Sequence, residues 1–206
     1  MNILVIGAHP DDFEFGCGGT LIKMSKNAKL FALIMTKGEI GGDANVRYKE
    51  QIEVCKYLKA KLFWGGYKDT KIELNKSLID KIEKIIHKTK PDLIFTHYPK
   101  DTHQDHRNLS EATITATRYI RNVLFYETPS SIDFSPTVFM DIGDVIEEKL
   151  YLLKLHASQV NATRVKGLSI IEAATSTAIF RGYQNRVKYA EGFVPLRLSL
   201  DFKFKL

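Results

Sequence analysis

Short, unbroken apolar runs constrain this chain more than any other feature. Asn2–Gly7 (NILVIG), Leu30–Thr36 (LFALIMT) and Leu93–His97 (LIFTH) show none of the polar/apolar alternation of a strand with one wet face. Such runs need cover on both faces, as in a parallel sheet lying between helices. The segments between them have helical spacing: Thr20–Asn27, Arg47–Leu58, Asn75–Lys88, Asn108–Ile120, Val145–His156 and Ser169–Tyr183. In the third, Leu78, Ile79, Ile82, Ile85 and Ile86 form one stripe, and Pro91 and Asp92 stop it. Further strands are predicted at Leu62–Trp64, Val123–Tyr126 and Thr137–Met140. From Phe193 the tail alternates, with Leu196, Leu198, Leu200 and Phe202 sharing a face. Strands alternating with helices predict an α/β fold, a Rossmann-like, mostly parallel sheet flanked by helices, in one domain spanning 1–206. There is no internal repeat, low-complexity tract or linker; Thr128–Ser131 reads as a loop.

The first run ends in a polar knot, GAHPDDFEFGCGGT (Gly7–Thr20), and the Leu93–His97 run leads into THYPKDTHQDH (Thr96–His106). Ligands of open parallel sheets bind beyond the carboxyl ends of the strands, so the two loops are expected to meet at one pocket. Gly16, Gly18 and Gly19 are expected to let the backbone turn tightly after the first strand. A third loop, Lys37–Asn45, carries Gly38, Gly41 and Gly42 and is also expected near the pocket.

A catalytic zinc site keeps about three protein ligands and one open position. His9 and Asp12, three apart on a turn, can bite one ion, and His106 can supply the third ligand. Two histidines and a carboxylate suit Zn²⁺ best, with Fe²⁺, Mn²⁺ or Co²⁺ as alternatives. His103 can face the open position without ligating, and Asp105 can orient a histidine by accepting its second N–H. Each residue also has a purely structural reading. His9, Asp11 and Asp12 can cap a helix, and so can Asp105. Arg47 can pair with Glu50. Glu14 reads as a surface or helix-entry charge, His97 as packing, His87 as solvated and His156 as structural. Trp64, Tyr67 and Tyr98 read as core or rim aromatics, with Tyr98 adjoining the histidine loop. Cys17 is close enough to ligate but reads as a small residue beside the glycines.

HPDD with GCGGT, followed by the D-x-H-x-D-H pattern of Asp101–His106, resembles the LmbE-like (PIG-L) family of N-acetylglucosaminyl deacetylases. KGE (Lys37–Glu39), Arg47 with Glu50, PDLIFTH (Pro91–His97), YETP (Tyr126–Pro129), KLHASQ (Lys154–Gln159) and YAEGF (Tyr189–Phe193) extend the likeness along nearly the whole chain. The resemblance implies a zinc-dependent amide hydrolase with His9, Asp12 and His106 as ligands, Asp11 as general base and His103 as oxyanion stabiliser. It implies substrate contacts at Arg47, and the pocket loops add Glu39 and Tyr98. One departure stands out: Phe13 follows HPDD where many members carry an acid.

Composition narrows the partners. No apolar stretch approaches the ~20 residues that span a bilayer, and Met1–Asp12 lacks the basic region and cleavage site of a signal peptide. Two cysteines, Cys17 and Cys55, argue against a disulfide framework and for a reducing, cytoplasmic setting. Thirty basic against 24 acidic residues give +6. Scattered lysines without interleaved aromatics exclude a nucleic-acid surface, while the mild excess suits an anionic small substrate or an anionic membrane surface. The expected substrate is an N-acetyl amino sugar or its nucleotide, lipid or thiol conjugate, and a homo-oligomer is compatible with the sequence. Two alternatives stand beside it: an amidase for another amide such as a thiol conjugate, and a non-catalytic nucleotide-binding protein. HPDDFEFG disfavours the latter, since it replaces G-x-G-x-x-G and puts acids where phosphates would sit.

Overall fold

The computed structural model describes residues 1–202. The element order is β1 (Asn2–Gly7), α1 (Asp12–Ser25), β2 (Lys29–Ile34), α2 (Ala44–Tyr57), β3 (Lys61–Trp64), α3 (Lys76–Thr89) and β4 (Leu93–His97). There follow α4 (Gln104–Ala116), β5 (Val123–Tyr126), β6 (Val138–Asp141), α5 (Ile146–Leu155), α6 (Ile170–Gln184) and β7 (Ala190–Arg197). The sheet order is β3-β2-β1-β4-β5-β7-β6. β3 through β5 are mutually parallel, and β7 and β6 extend the sheet antiparallel. This is the Rossmann-like, mostly parallel sheet that the apolar runs predict.

Two apolar clusters cover the sheet. One packs Ile3, Val5, Phe95 and Leu124 against α1 and α5 through Leu21, Met24, Leu150 and Leu153. The other packs Leu4, Ile6, Leu33 and Ile94 against α3 and α4 through Leu78, Ile82, Leu109 and Ala112. Alternate residues of β1 and β4 therefore face opposite clusters, which explains their unbroken apolar runs. Chain order reverses at β1, which lies between β2 and β4, and the crevice beyond their carboxyl ends holds the knot.

Three helices begin earlier than their spacing predicts; α2 starts at Ala44 rather than Arg47, and the other two bear on the site. α1 starts at Asp12 rather than Thr20, so Gly16, Gly18 and Gly19 lie inside a helix and form no turn. At two of them the role is close approach: a Cβ at Gly16 would sit 2.3 Å from Tyr126 Cδ2, and one at Gly19 would sit 2.9 Å from Ile142 Cγ2, whereas one at Gly18 would meet only ordinary contacts. The helix kinks at Cys17 (φ −145°, ψ 17°) and restarts. The freed N–H groups of Gly19 and Thr20 donate to the Glu191 carboxylate at 2.9 and 2.7 Å, and the buried Lys149 ammonium donates to Glu191 and to Phe15 O. α4 starts at Gln104 rather than Asn108, with His103 as its N-cap. Among the described residues the alternating tail is a strand only as far as Arg197; Leu200 is fully exposed, so the shared face is lost, and the rest of the expected strand, 203–206, lies outside the described residues.

Candidate active site

β1 ends at Gly7 and delivers His9, Asp11 and Asp12 to the crevice, while β4 ends at His97 and is followed by Asp101 to His106. His9 Nδ1 lies 3.2 Å from His106 Nε2 and 3.4 Å from Asp12 Oδ2, and His106 Nε2 lies 3.4 Å from Asp12 Oδ1. All three residues are buried. Four ligands at 2.0–2.2 Å around a tetrahedral ion are separated by ~3.3–3.6 Å; here the two contacts to Asp12 run to its two different oxygens, and with one ligand atom from each residue the three lie within 4.8 Å of one another.

The surroundings fix both rings. His9 Nε2 faces Asp69 Oδ1 at 3.0 Å and Asp105 Oδ2 at 3.2 Å; His106 Nδ1 faces Asp101 Oδ2 at 3.2 Å. A neutral imidazole placed so carries its proton toward the carboxylate, and this turns the lone pairs of His9 Nδ1 and His106 Nε2 toward each other and toward Asp12. Only a cation or an added proton relieves that arrangement. The protein alone answers with protons: burial pushes His9 and His106 down, but their carboxylate neighbours outweigh it. His9 is held well above its ordinary pKa, and His106 rises to about 9. The residues thus fit a divalent ion. A second group, His9, Asp69 and His103, also has ligand-type atoms within 4.8 Å of one another. It shares His9, so the two groups compete for one ring.

Neighbouring groups hold this set in place. Asp12 Oδ2 accepts the His9 N–H at 2.7 Å. His97, fully buried, accepts the Ala8 N–H at 3.0 Å and stacks on His106 with centroids 4.1 Å apart; burial and the nearby His106 charge lower it to about 4. Asp105 also accepts the N–H groups of Thr70 (2.8 Å) and Ile72 (3.3 Å), which ties the loop after β3 to α4. It is therefore in the first turn of α4 and not its cap. Asp101 accepts the His103 N–H at 2.8 Å and the Thr128 hydroxyl at 2.8 Å.

Asp11 occupies the N-cap position of α1 at φ 87°, yet its side chain makes no capping bond. Its carboxylate instead lines the cavity, with Arg47 Nη2 3.2 Å away. Burial pushes its pKa up to about 6, with Arg47 opposing. His103 Nδ1 accepts the Asp105 N–H at 3.2 Å, which leaves Nε2–H as the donor of a neutral ring. Burial, then the charges of His9 and His106, lower its pKa.

Other residues depart from their sequence readings. Arg47 does not pair with Glu50; it is buried, and it donates to Gly38 O (2.6 Å), Pro10 O (2.8 Å) and Asp11. Glu50 accepts from Ser158. Glu39 is outside the cavity and accepts the Asp69 N–H at 3.0 Å, while Tyr98 packs on Phe125 and Phe134 and does not line the cavity. Glu14 is fully buried, accepts from Gln51 at 2.6 Å and lies 3.1 Å from His156 Nε2, so it is no surface charge. Phe13 is in the core and does not reach the cavity. Cys17 is a buried free thiol and belongs to neither metal group. Sequence reasoning gave no role to Asp69 or Asp101. Asp69 follows β3 on the same sheet edge, and that position was the available signal; Asp101 opens the quoted histidine motif.

Fold and site together define a Rossmann-like protein with a two-histidine, one-carboxylate cluster in its switch-point crevice. The family model for the GlcNAc-PI de-N-acetylase, PIG-L, matches residues 4–117, and the chain belongs to that family. It is 35% identical over 168 residues to an uncharacterised deacetylase, YaiS, of Escherichia coli (strain K12), covering 76% of this chain and 91% of the relative. It is 31% identical over 186 residues to a probable N-acetyl-α-D-glucosaminyl L-malate deacetylase 2 of Bacillus subtilis (strain 168), covering 77% and 83%. The N,N'-diacetylchitobiose deacetylase structure from Pyrococcus horikoshii superposes with a TM-score of 0.84 at 26% identity, over 95% of this chain and 83% of that one. These relatives are deacetylases, that is, amide-hydrolysing enzymes.

Proposed function

We propose that the protein hydrolyses the N-acetyl group of an amino sugar or sugar conjugate, releasing acetate and a free amine, with a divalent ion, zinc first, held by His9, Asp12 and His106. The observation that carries this reading is the convergence of His9 Nδ1, His106 Nε2 and the Asp12 carboxylate, one ligand atom from each within 4.8 Å of the others, with the outer ring nitrogens fixed by Asp69, Asp105 and Asp101. A bound ion there supplies Lewis acidity, which polarises the acyl oxygen and brings the pKa of water toward ~7.

Asp11 takes the proton of the attacking water and hands it to the departing amine. Its exclusion from helix capping leaves the carboxylate free, and a pKa of about 6 suits proton exchange near neutrality. Arg47 fixes that carboxylate and the Pro10 carbonyl, so it acts as a positioning residue. His103 donates Nε2–H to the developing oxyanion as a neutral imidazole, which loses no charge advantage to nearby cations. Glu39 acts through Asp69. The substrate class rests on the relatives' named activities on N-acetylglucosaminyl compounds and diacetylchitobiose. A reducing, cytoplasmic setting belongs to the same proposal, supported by the buried free thiols of Cys17 and Cys55. No helix among the described residues is long and apolar enough to cross a membrane.

Metal analysis paired with amine release tests the roles. Asp11→Asn should keep a full complement of metal and lose ~10²–10⁴ in kcat; wild-type turnover in that variant removes Asp11 as the base. His106→Ala should lose the metal; full occupancy removes His106 from the ligand set.

A further inference from the structure

The cavity holding the candidate metal cluster is about 440 Å³, within the usual size range of small-molecule sites. Its lining includes two guanidinium groups. Arg47 is buried and spent on Gly38 O, Pro10 O and Asp11. Arg164 is exposed, and among the described residues no carbonyl or carboxylate accepts from it. It sits at φ 60°, in the left-handed region, where a non-glycine residue is strained by ~1–2 kcal/mol. The turn around it is internally braced. Thr163 Oγ1 accepts the Val165 N–H at 3.2 Å and donates to Leu168 O at 2.6 Å, and the Ile170 N–H donates to Val160 O at 2.9 Å. The loop is anchored to α2 through Ser158 and Glu50. A braced, strained turn thus presents one uncommitted cation to a cavity whose lining carries Asp11, Asp12 and Asp69 beside Arg47 and the site histidines.

We propose that Arg164 is a specificity-determining residue that binds an anionic oxygen group, phosphate or carboxylate, on the aglycone side of the substrate. Charge-assisted bonds from a planar guanidinium suit either oxyanion. The inference rests on the deacetylase reading for the sugar half of the ligand. It adds that conjugates carrying an acidic group are preferred over neutral N-acetyl sugars.

The test uses metal-loaded protein and four substrates: free N-acetylglucosamine, its methyl glycoside, its 1-phosphate and its carboxymethyl glycoside. Amine release from the two neutral compounds decides the reaction class by itself. The Arg164 assignment is read from the ratio of anionic to neutral kcat/KM. It is read again from calorimetric binding of glucosamine 1-phosphate against methyl glucosaminide, which needs no turnover. Arg164→Gly removes the side chain and relieves the left-handed backbone, so its Tm should not fall. Its anionic-to-neutral ratio should drop about 10- to 100-fold, chiefly through KM. Arg164→Lys should retain part of the preference. If phosphate alone is preferred, the source is a phosphorylated conjugate; if carboxylate alone, an organic acid. A wild-type protein with no anionic preference in turnover or binding, or an Arg164→Gly ratio within twofold of wild type, overturns the proposal.

Discussion

Asp11 and Asp12 are adjacent in sequence and opposite in electrostatics. Asp12 is buried, which alone would raise its pKa, but His106 and His97 hold it well below the usual carboxylate range. Asp11 is pushed up to about 6 by burial against the opposition of Arg47. Two carboxylates driven apart in this way can divide the work, one ligating and one moving protons. The same electrostatics set the pH dependence of metal uptake. His106, at about 9 without metal, is protonated at neutral pH and must lose that proton to ligate. Metal affinity should therefore rise ~10-fold per pH unit for each proton displaced, between pH 6 and 8. Calorimetry in buffers of different ionisation enthalpy counts the protons released; a pH-independent affinity with no proton release contradicts the picture. The convergence of His9, Asp12 and His106 was legible in the sequence because motif and strand end coincide. The places of Asp69 and Glu39 were not, because carboxylates behind the cluster need only a position on the sheet edge and carry no spacing of their own.

At the scale of elements, α1 joins the site to the core. Its kink at Cys17 exposes fresh N–H groups inside the protein; the Glu191 carboxylate accepts them, and the Lys149 ammonium donates to that carboxylate in turn. Lys149→Met leaves a buried, unpaired carboxylate and should cost about 3–5 kcal/mol, whereas the double variant with Glu191→Gln should recover part of that loss. Denaturant unfolding measures both; equal losses in the single and double variants contradict the coupling. Gly16→Ala drives a methyl into the Tyr126 ring and toward Glu127 O and should cost about 1–3 kcal/mol. The start of α1 was illegible because three glycines read as a breaker, although here two of them, Gly16 and Gly19, serve close packing. The start of α4 was hidden for a related reason: its N-cap is a histidine, His103, outside the usual capping set.

At the scale of the molecule, the parallel half of the sheet places the ends of β3, β2, β1 and β4 along one edge, and the residues that follow them, with Gln159 and Arg164 from the segment after α5, build the cavity. That half was legible from apolar runs alone. The antiparallel β7–β6 end was not, since orientation depends on connections rather than on hydrophobic pattern. The most direct test is amine release from a panel of N-acetyl amino sugars and their conjugates, with the protein stripped of metal, reloaded with zinc, and reloaded as Asp11→Asn. The account predicts release by the reloaded wild type, little without metal, and little from the metal-loaded variant. Undiminished release by the stripped protein, or none across the panel by the fully loaded wild type, contradicts it.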